Sequence, residues 1–301
     1  GKLRHYFIIN PAAGRQDSRE DIAAIVKEKL GDEATIYITT KPHDATEYVK
    51  RICENVSGKK RFWACGGDGT LNEVLNGMAD FEGAQLAALP CGSGNDYVKY
   101  YGSADSFLNF ESQLAGEIKK VDILCVNGRY AINEINFGFD SVAAKFMQKI
   151  KRKPIIGGRN AYITGVLYAL INAVNNECYV SAGDEKLNPD GRMLLCTAMC
   201  GQYLGGQFRC APFSKVDDGL IDICLVKPIP RYRLLSLLKK YEDGSYLTDK
   251  ALSGYLRYRQ VEHLSFSAPE GWHITLDGES MDICSGKISI VPQKIDFVVP
   301  Q

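Results

Sequence analysis

The segment Cys65-Gly66-Gly67-Asp68-Gly69-Thr70-Leu71-Asn72-Glu73 sets a carboxylate at the tip of a glycine turn, between a short apolar run and a helical pattern. Glycines let a backbone turn sharply and approach a ligand, and the first turn of the next helix offers unpaired N–H groups to an anion. That outline suits phosphate. The lysine and spacing of a Walker loop are missing, as is the GxGxxG of dinucleotide sites, so neither scaffold applies. Thr70 and Glu73 also have the spacing of a capping box, which an ordinary helix would use. Asp68 adds nothing to such a cap, and its place at the tip points to a functional turn.

A second glycine turn, Leu89-Pro90-Cys91-Gly92-Ser93-Gly94-Asn95-Asp96-Tyr97, follows another apolar run. Two turns at neighbouring strand ends can form the walls of one crevice, where open α/β sheets bind ligands. Asn10-Pro11-Ala12-Ala13-Gly14-Arg15 is a third turn, with Arg15 available for a phosphate, although a plain loop explains it equally well. Asp277 with Glu279, and Asp217-Asp218-Gly219, read in isolation as polar turns. His5, His43, His263 and His273 lie in strands or loops without a GxSxG elbow, which argues against a serine hydrolase. Oxygen donors without clustered histidines favour Mg²⁺ over zinc or copper.

These turns need a scaffold, and the first third of the chain supplies one. Strand-like runs at residues 6–9, 35–39, 62–65 and 86–89 alternate with helical faces. Ile22, Ile25, Val26 and Leu30 make one such face, Ala45, Tyr48, Val49, Ile52 and Val56 a second, and Leu71, Val74, Leu75 and Met78 a third. Alternation of this kind predicts a parallel sheet covered by helices. After Val121 the texture shifts to β-like runs at 123–126, 193–200, 220–226, 261–267, 287–291 and 295–299, with helices at 141–150, 162–174 and 231–241. The expected organisation is an α/β domain over residues 1–121 and a mostly antiparallel β-sandwich domain over 122–301.

Composition narrows the partners. Lysine plus arginine equals aspartate plus glutamate at 36 each, so no global field draws the chain to nucleic acid. The dense basic run Lys149, Lys151, Arg152 and Lys153 reads as a solvated helix end or a substrate or membrane contact. Ten cysteines lie among apolar positions without a framework spacing, which predicts reduced thiols. Neither Cys196 with Cys200 nor Cys200 with Cys210 has a matching second pair, so no structural zinc is expected. The opening residues predict neither a signal peptide nor a membrane-spanning start. The apolar stretch 161–174 is shorter than the roughly 20 residues needed to cross a bilayer, so it is expected to be a buried or interfacial helix.

Taken in order, the GGDGT of residues 66–70, the LPxGSxND-like stretch of 89–96, the NPxxG of 10–14, the DDG of 217–219 and the DGE of 277–279 resemble the diacylglycerol kinase catalytic-domain family. That family includes bacterial lipid kinases and sphingosine and ceramide kinases. GGDGT alone is shared with NAD kinases; the second turn followed by DDG and DGE separates the two. The resemblance implies a soluble ATP- and Mg²⁺-dependent kinase acting on a lipid hydroxyl, with a cleft between an ATP-binding domain and a β-rich one. It implies Asp68 near the nucleotide phosphates and magnesium, Asp96 in support, and Glu279 near the acceptor hydroxyl. It also assigns nucleotide contacts to Asn10, Gly14, Arg15, Thr40, Gly66 and Gly67, and further to Gly69, Thr70, Gly92, Ser93, Asn95 and Lys99. Lys215, Asp218 and Leu220 correspond to a structural magnesium loop, and Asp122 to a charged position of the family. Ser93 replaces a frequent threonine, and Lys99 a frequent arginine, which loses a bidentate fork. A lipid acceptor implies a cytoplasmic protein making a peripheral, reversible membrane contact, with the helix at 162–174 one candidate. A homodimer stays open. An NAD kinase-like or other small-molecule kinase, and a non-catalytic binding module on the same fold, are the competing readings.

Overall fold

The computed structural model describes residues 1–13, 19–92, 94–138, 176–206 and 208–301. Gly14, Arg15, Ser93, the basic run at 149–153 and the expected helices at 141–150 and 162–174 lie outside the described residues. The first strands are β1 (Arg4–Ile9), β2 (Ala34–Ile38), β3 (Lys60–Gly66) and β4 (Ala84–Pro90). They run parallel in the order β4-β3-β1-β2, alternating with α1 (Arg19–Lys29), α2 (Asp44–Asn55) and α3 (Asp68–Met78). Every residue of β3 is buried, as expected of a strand covered on both faces. Side chains alternate accordingly: Ile8, Phe62 and Ala64 pack with Val49, Val74 and Leu75 of α2 and α3, while Phe7, Ile9 and Trp63 pack with Ile22 and Val26 of α1.

A short α4 (Phe110–Leu114) precedes the β-rich part of the chain. That part begins with β5 (Glu117–Val126), β6 (Arg129–Ala131), β7 (Glu134–Gly138), β8 (Asn176–Glu177), β9 (Tyr179–Ala182), β10 (Glu185–Lys186), β11 (Arg192–Met193) and β12 (Leu195–Met199). It continues with β13 (Ile221–Val226), α5 (Arg231–Tyr241), β14 (Leu256–Val261), β15 (His263–Ser267), β16 (His273–Leu276), β17 (Glu279–Asp282) and β18 (Ser285–Val299). The helix expected at 231–241 coincides with α5. The run expected at 261–267 is broken at Glu262, between β14 and β15.

The last strand joins the two architectures. β18 runs parallel to β4 at Asp296 and Phe297, antiparallel to β5 along most of its length, and antiparallel to β15 over its first part. The sheet β10-β9-β15-β18-β4-β3-β1-β2 is therefore parallel at one end and antiparallel at the other. The two runs read separately at 287–291 and 295–299 form one strand. It is interrupted by a register shift between Val291 and Ile295, where Pro292 has no N–H to give and Gln293 has a φ of 46°. Asp122 of β5 takes up the irregularity, accepting the Gln293 N–H at 2.8 Å and the Gly219 N–H at 2.7 Å.

A second sheet, β14-β13-β12-β7-β16-β17, is antiparallel throughout. Ile135, Phe137, Cys196, Ile223 and Leu225 on one face pack against Val180, Leu264, Phe266 and Ile288 of the first sheet, which makes the sandwich. The fold is thus a mostly parallel α/β layer continued into an antiparallel β domain, the class the sequence predicts. On the other face, Leu234, Leu237 and Tyr241 of α5 cover Leu195, Met199, Cys224 and Val226. No helix among the described residues is long and apolar enough to cross a membrane.

Candidate active site

The glycines at the ends of β3 and β4 are there because the two turns touch. A Cβ on Gly66 would stand 2.3 Å from Thr70 Oγ1, so only glycine lets the first turn of α3 fold back over the strand end. A Cβ on Gly92 would stand 2.3 Å from Gly67 Cα, so the second turn meets the first backbone to backbone. Asp68, at the start of α3, spans the contact. Its carboxylate accepts the Asp96 N–H at 3.0 and 2.9 Å and the Tyr97 N–H at 3.3 Å.

Asn95, at φ 54°, closes the second turn by donating to Gly92 O at 2.8 Å and Pro90 O at 3.3 Å. Asp96 Oδ1 accepts the Gly206 N–H at 2.8 Å, which brings a loop of the β-rich region onto the turn. Burial, then the neighbouring Asp68 charge, push the Asp96 carboxyl up to about 6. Burial also raises Asp68, against the N–H groups and the Lys99 charge that favour its anion. Two close carboxylates resist ionising together, and such a pair readily accepts a proton or a cation.

The facing wall comes from the hairpin between β16 and β17. Asp277 and Gly278 have φ values of 50° and 89°, and Leu276 pairs directly with Glu279 across this two-residue turn. Asp277 is buried and points back into the protein. Its Oδ2 accepts from Asn72 Nδ2 and the Ile132 N–H, both at 2.8 Å, and its Oδ1 accepts the N–H groups of Asn133 at 2.9 Å and Glu134 at 3.0 Å. This fixes the turn so that Glu279 faces the start of α3, where a Cβ on Gly69 would meet Glu279 Oε1 at 3.0 Å.

The cleft between these walls has a volume of about 840 Å³ and is lined by Asp68, Thr70, Glu73, Gly92, Gly94 and Glu279, among others. Asn10 and Thr40 also line it. Asn10 Nδ2 donates to Thr70 Oγ1 at 3.4 Å, and Thr40 donates its N–H at 2.8 Å to Asp44 Oδ2. Gly67 and Gly69 are part of the lining, whereas Gly66 stands behind it and Asn95 braces the second turn. Lys99 is placed elsewhere: its ammonium donates to Gly206 O and lies 3.6 Å from Asp96 Oδ1.

Lys215, Asp218 and Leu220 lie together in the loop before β13, apart from the cleft lining. Asp218 accepts the Leu220 N–H at 3.0 Å, and burial and Asp217 raise its pKa. Asp217 and Asp218 in turn help raise Asp122. The carboxylate of Asp218 is the hard oxygen donor type that magnesium takes. Among the described residues no group of three or more His, Cys, Asp or Glu side chains forms a metal cage. Sequence reasoning left Glu73 and Asp277 out of the site. Glu73 lines the cleft, accepts the His43 N–H and is raised by burial and by Glu279. Its place in the capping-box spacing was the signal available.

The diacylglycerol kinase catalytic domain matches residues 4–126, and the YegS C-terminal NAD kinase beta sandwich-like domain matches residues 133–299. The chain is 25% identical to a diacylglycerol kinase of Bacillus subtilis, over 99% of this chain and 97% of that protein. It is 28% identical to a probable lipid kinase YegS-like protein of Pseudomonas aeruginosa, over 95% and 92% respectively. A crystal structure of a diacylglycerol kinase from Bacillus anthracis superposes with a TM-score of 0.70 at 20% identity, covering 98% of this chain and 96% of that one, a likeness of fold.

Proposed function

We propose, from the premise that the chain belongs to the family joining a diacylglycerol kinase catalytic domain to a YegS-type C-terminal domain, that it transfers the γ-phosphoryl group of ATP to a hydroxyl of a lipid such as diacylglycerol. The observation that carries this reading is the contact of the two glycine turns at Gly67 and Gly92, with Asp68 between them and Glu279 across the cleft. Phosphoryl transfer needs phosphates held in line, their charge neutralised, and a group that orients the attacking hydroxyl. The glycine turns and the first turn of α3 offer backbone N–H groups to the phosphates. Asn10, Thr40 and Thr70, which line the cleft, would face the nucleotide.

Asp68 presents the carboxylate that would lie near Mg²⁺, with Asp96 behind it in support; the ion when bound would neutralise phosphate charge. Glu279, across the cleft, would receive or orient the acceptor proton. Lys215, Asp218 and Leu220 would hold a structural Mg²⁺ through one carboxylate and backbone carbonyls. In this reading residues 1–121 bind ATP and residues 122–301 complete the cleft and take the acceptor, with the end of β18 returned to the first layer. The protein would work in the cytoplasm, at the inner face of a membrane.

The test is ATP consumption by the purified protein against diacylglycerol, other lipid alcohols, sphingoid bases and NAD, with product masses measured. A phosphorylated lipid is expected, with Asp68→Ala lowering turnover at least about a thousandfold. Phosphorylation of NAD without any lipid product would replace the lipid reading, and nucleotide binding with no turnover would leave a binding module.

A further inference from the structure

The outer face of α5 is built unlike an ordinary solvent-facing helix. Its inner face is accounted for by Leu234, Leu237 and Tyr241, buried in the core beneath it. Outside, Tyr232 is 77% exposed and Leu235 67%, the highest values among the described large hydrophobic side chains. Three residues apart, they are neighbours on one stripe of the helix. Cations bracket them: Arg231 lies four residues before Leu235 and Lys239 four after it, and both are exposed. Among the described residues, neither has a carboxylate partner. Arg233 lies over the Tyr232 ring at 5.5 Å, and Lys240 is held by Asp249 at 2.6 Å. The helix RYRLLSLLKKY contains four basic residues and no acidic one, in a chain whose net charge is zero.

We propose that this face of α5 docks the protein onto an anionic phospholipid surface. An aromatic ring and a leucine flanked by lysine and arginine match the depth profile of a bilayer interface, with apolar groups at the acyl boundary and cations at the phosphates. Charge complementarity selects an anionic surface over a neutral one. The inference rests on the lipid-acceptor reading, which obliges a protein whose described helices do not span a membrane to visit one. The last residue of the helix is linked to the site through a chain of contacts. Tyr241 meets the Phe208 ring at 5.8 Å, Phe208 pairs with Leu204, and the Gly206 N–H inside that small turn holds Asp96.

The test uses the full chain with vesicles of phosphatidylglycerol and phosphatidylcholine in equal parts, and with phosphatidylcholine alone. The wild-type protein is expected to co-sediment with the anionic vesicles and to be released by salt. Tyr232→Ser with Leu235→Ser, and separately Arg231→Glu with Lys239→Glu, should each lower the partition about tenfold. Both variants should keep the wild-type unfolding midpoint and the turnover of a short-chain acceptor presented in solution. Three results would overturn the proposal: variants that partition like the wild type, a wild type that stays free of every vesicle, or a dimer that either variant dissolves. Vesicle binding that depends on α5 while no lipid is phosphorylated would keep the docking face and discard the lipid acceptor. Lipid phosphorylation with unchanged binding by both variants would do the reverse.

Discussion

Asp68 and Asp277 stand on opposite walls of one cleft and each accepts several hydrogen bonds, but the donors come from different places. Those of Asp68 are the backbone N–H groups of Asp96 and Tyr97, in the turn that follows the next strand of the same layer. Those of Asp277 are Asn72 of α3 and three successive N–H groups of the link from β6 to β7, from 143 to 205 residues away in the chain. Asp68 keeps part of its surface open to the cleft, whereas Asp277 is buried. The first carboxylate faces the cleft, and the second fastens the two layers so that Glu279, two residues on, meets α3.

Asp277→Ala breaks that difference most sharply. It leaves four donors facing a buried void, and a loss of about 4 kcal/mol of stability is expected by denaturant unfolding. Asp68→Ala should cost less than half of that figure while removing turnover, since Asp68 itself lines the cleft and water entering its place can meet the Asp96 and Tyr97 N–H groups. Equal stability losses in the two variants would remove the distinction.

Acid should act on the two layers with opposite sign. In the parallel layer, His5 accepts the Trp63 Nε1 proton on Nδ1, and burial first, then the Arg61 charge, hold it down to about 4. Its folded pKa lies below the unfolded one, so its contribution is present above about 6.5 and lost as pH falls toward 4. Burial pushes Asp277 up to about 6, so its contribution is present below about 4 and lost as pH rises through 6. Each group carries on the order of 3 kcal/mol across its window. His5→Phe should therefore remove an acid-side loss, and Asp277→Asn an acid-side gain, in unfolding midpoints measured at pH 7 and pH 5. The same pH slope in both variants would contradict this.

The two walls were also unequally legible in the sequence. The turns around Asp68 and Asp96 announce themselves because glycines that allow close backbone approach are local in the chain. Asp277 reads as an ordinary turn residue because its donors are distant, and nothing near it reports them. The parallel layer followed from helical and strand periodicity, and α5 from its apolar spacing. The single bulged β18 did not, because Pro292 and Gln293 look like a break between two strands until Asp122 is seen to hold the irregularity. Asp122→Ala should cost about 2 kcal/mol by orphaning the N–H groups of Gly219 and Gln293. Hydrogen exchange should then quicken at both amides before it does in β3, and unchanged protection there would assign the bulge to strand pairing alone.

Lys99 gives the smallest effect and the finest cut between the walls. By resemblance it belongs to the phosphates, but its ammonium lies on Gly206 O and 3.6 Å from Asp96 Oδ1. A lysine on a phosphate, replaced by glutamine, would raise the KM for ATP and leave kcat nearly intact. A lysine that ties the Gly206 turn to Asp96 would instead lower kcat, by about tenfold or 1.4 kcal/mol, with the KM for ATP changed less than about twofold. The same substitution removes a charge that holds the Asp96 carboxyl down against burial and Asp68. With that charge gone the carboxyl rises further, so the acid limb of the kcat profile should move to higher pH in Lys99→Gln and return in Lys99→Arg. A raised KM with an unmoved acid limb would place Lys99 on the nucleotide after all.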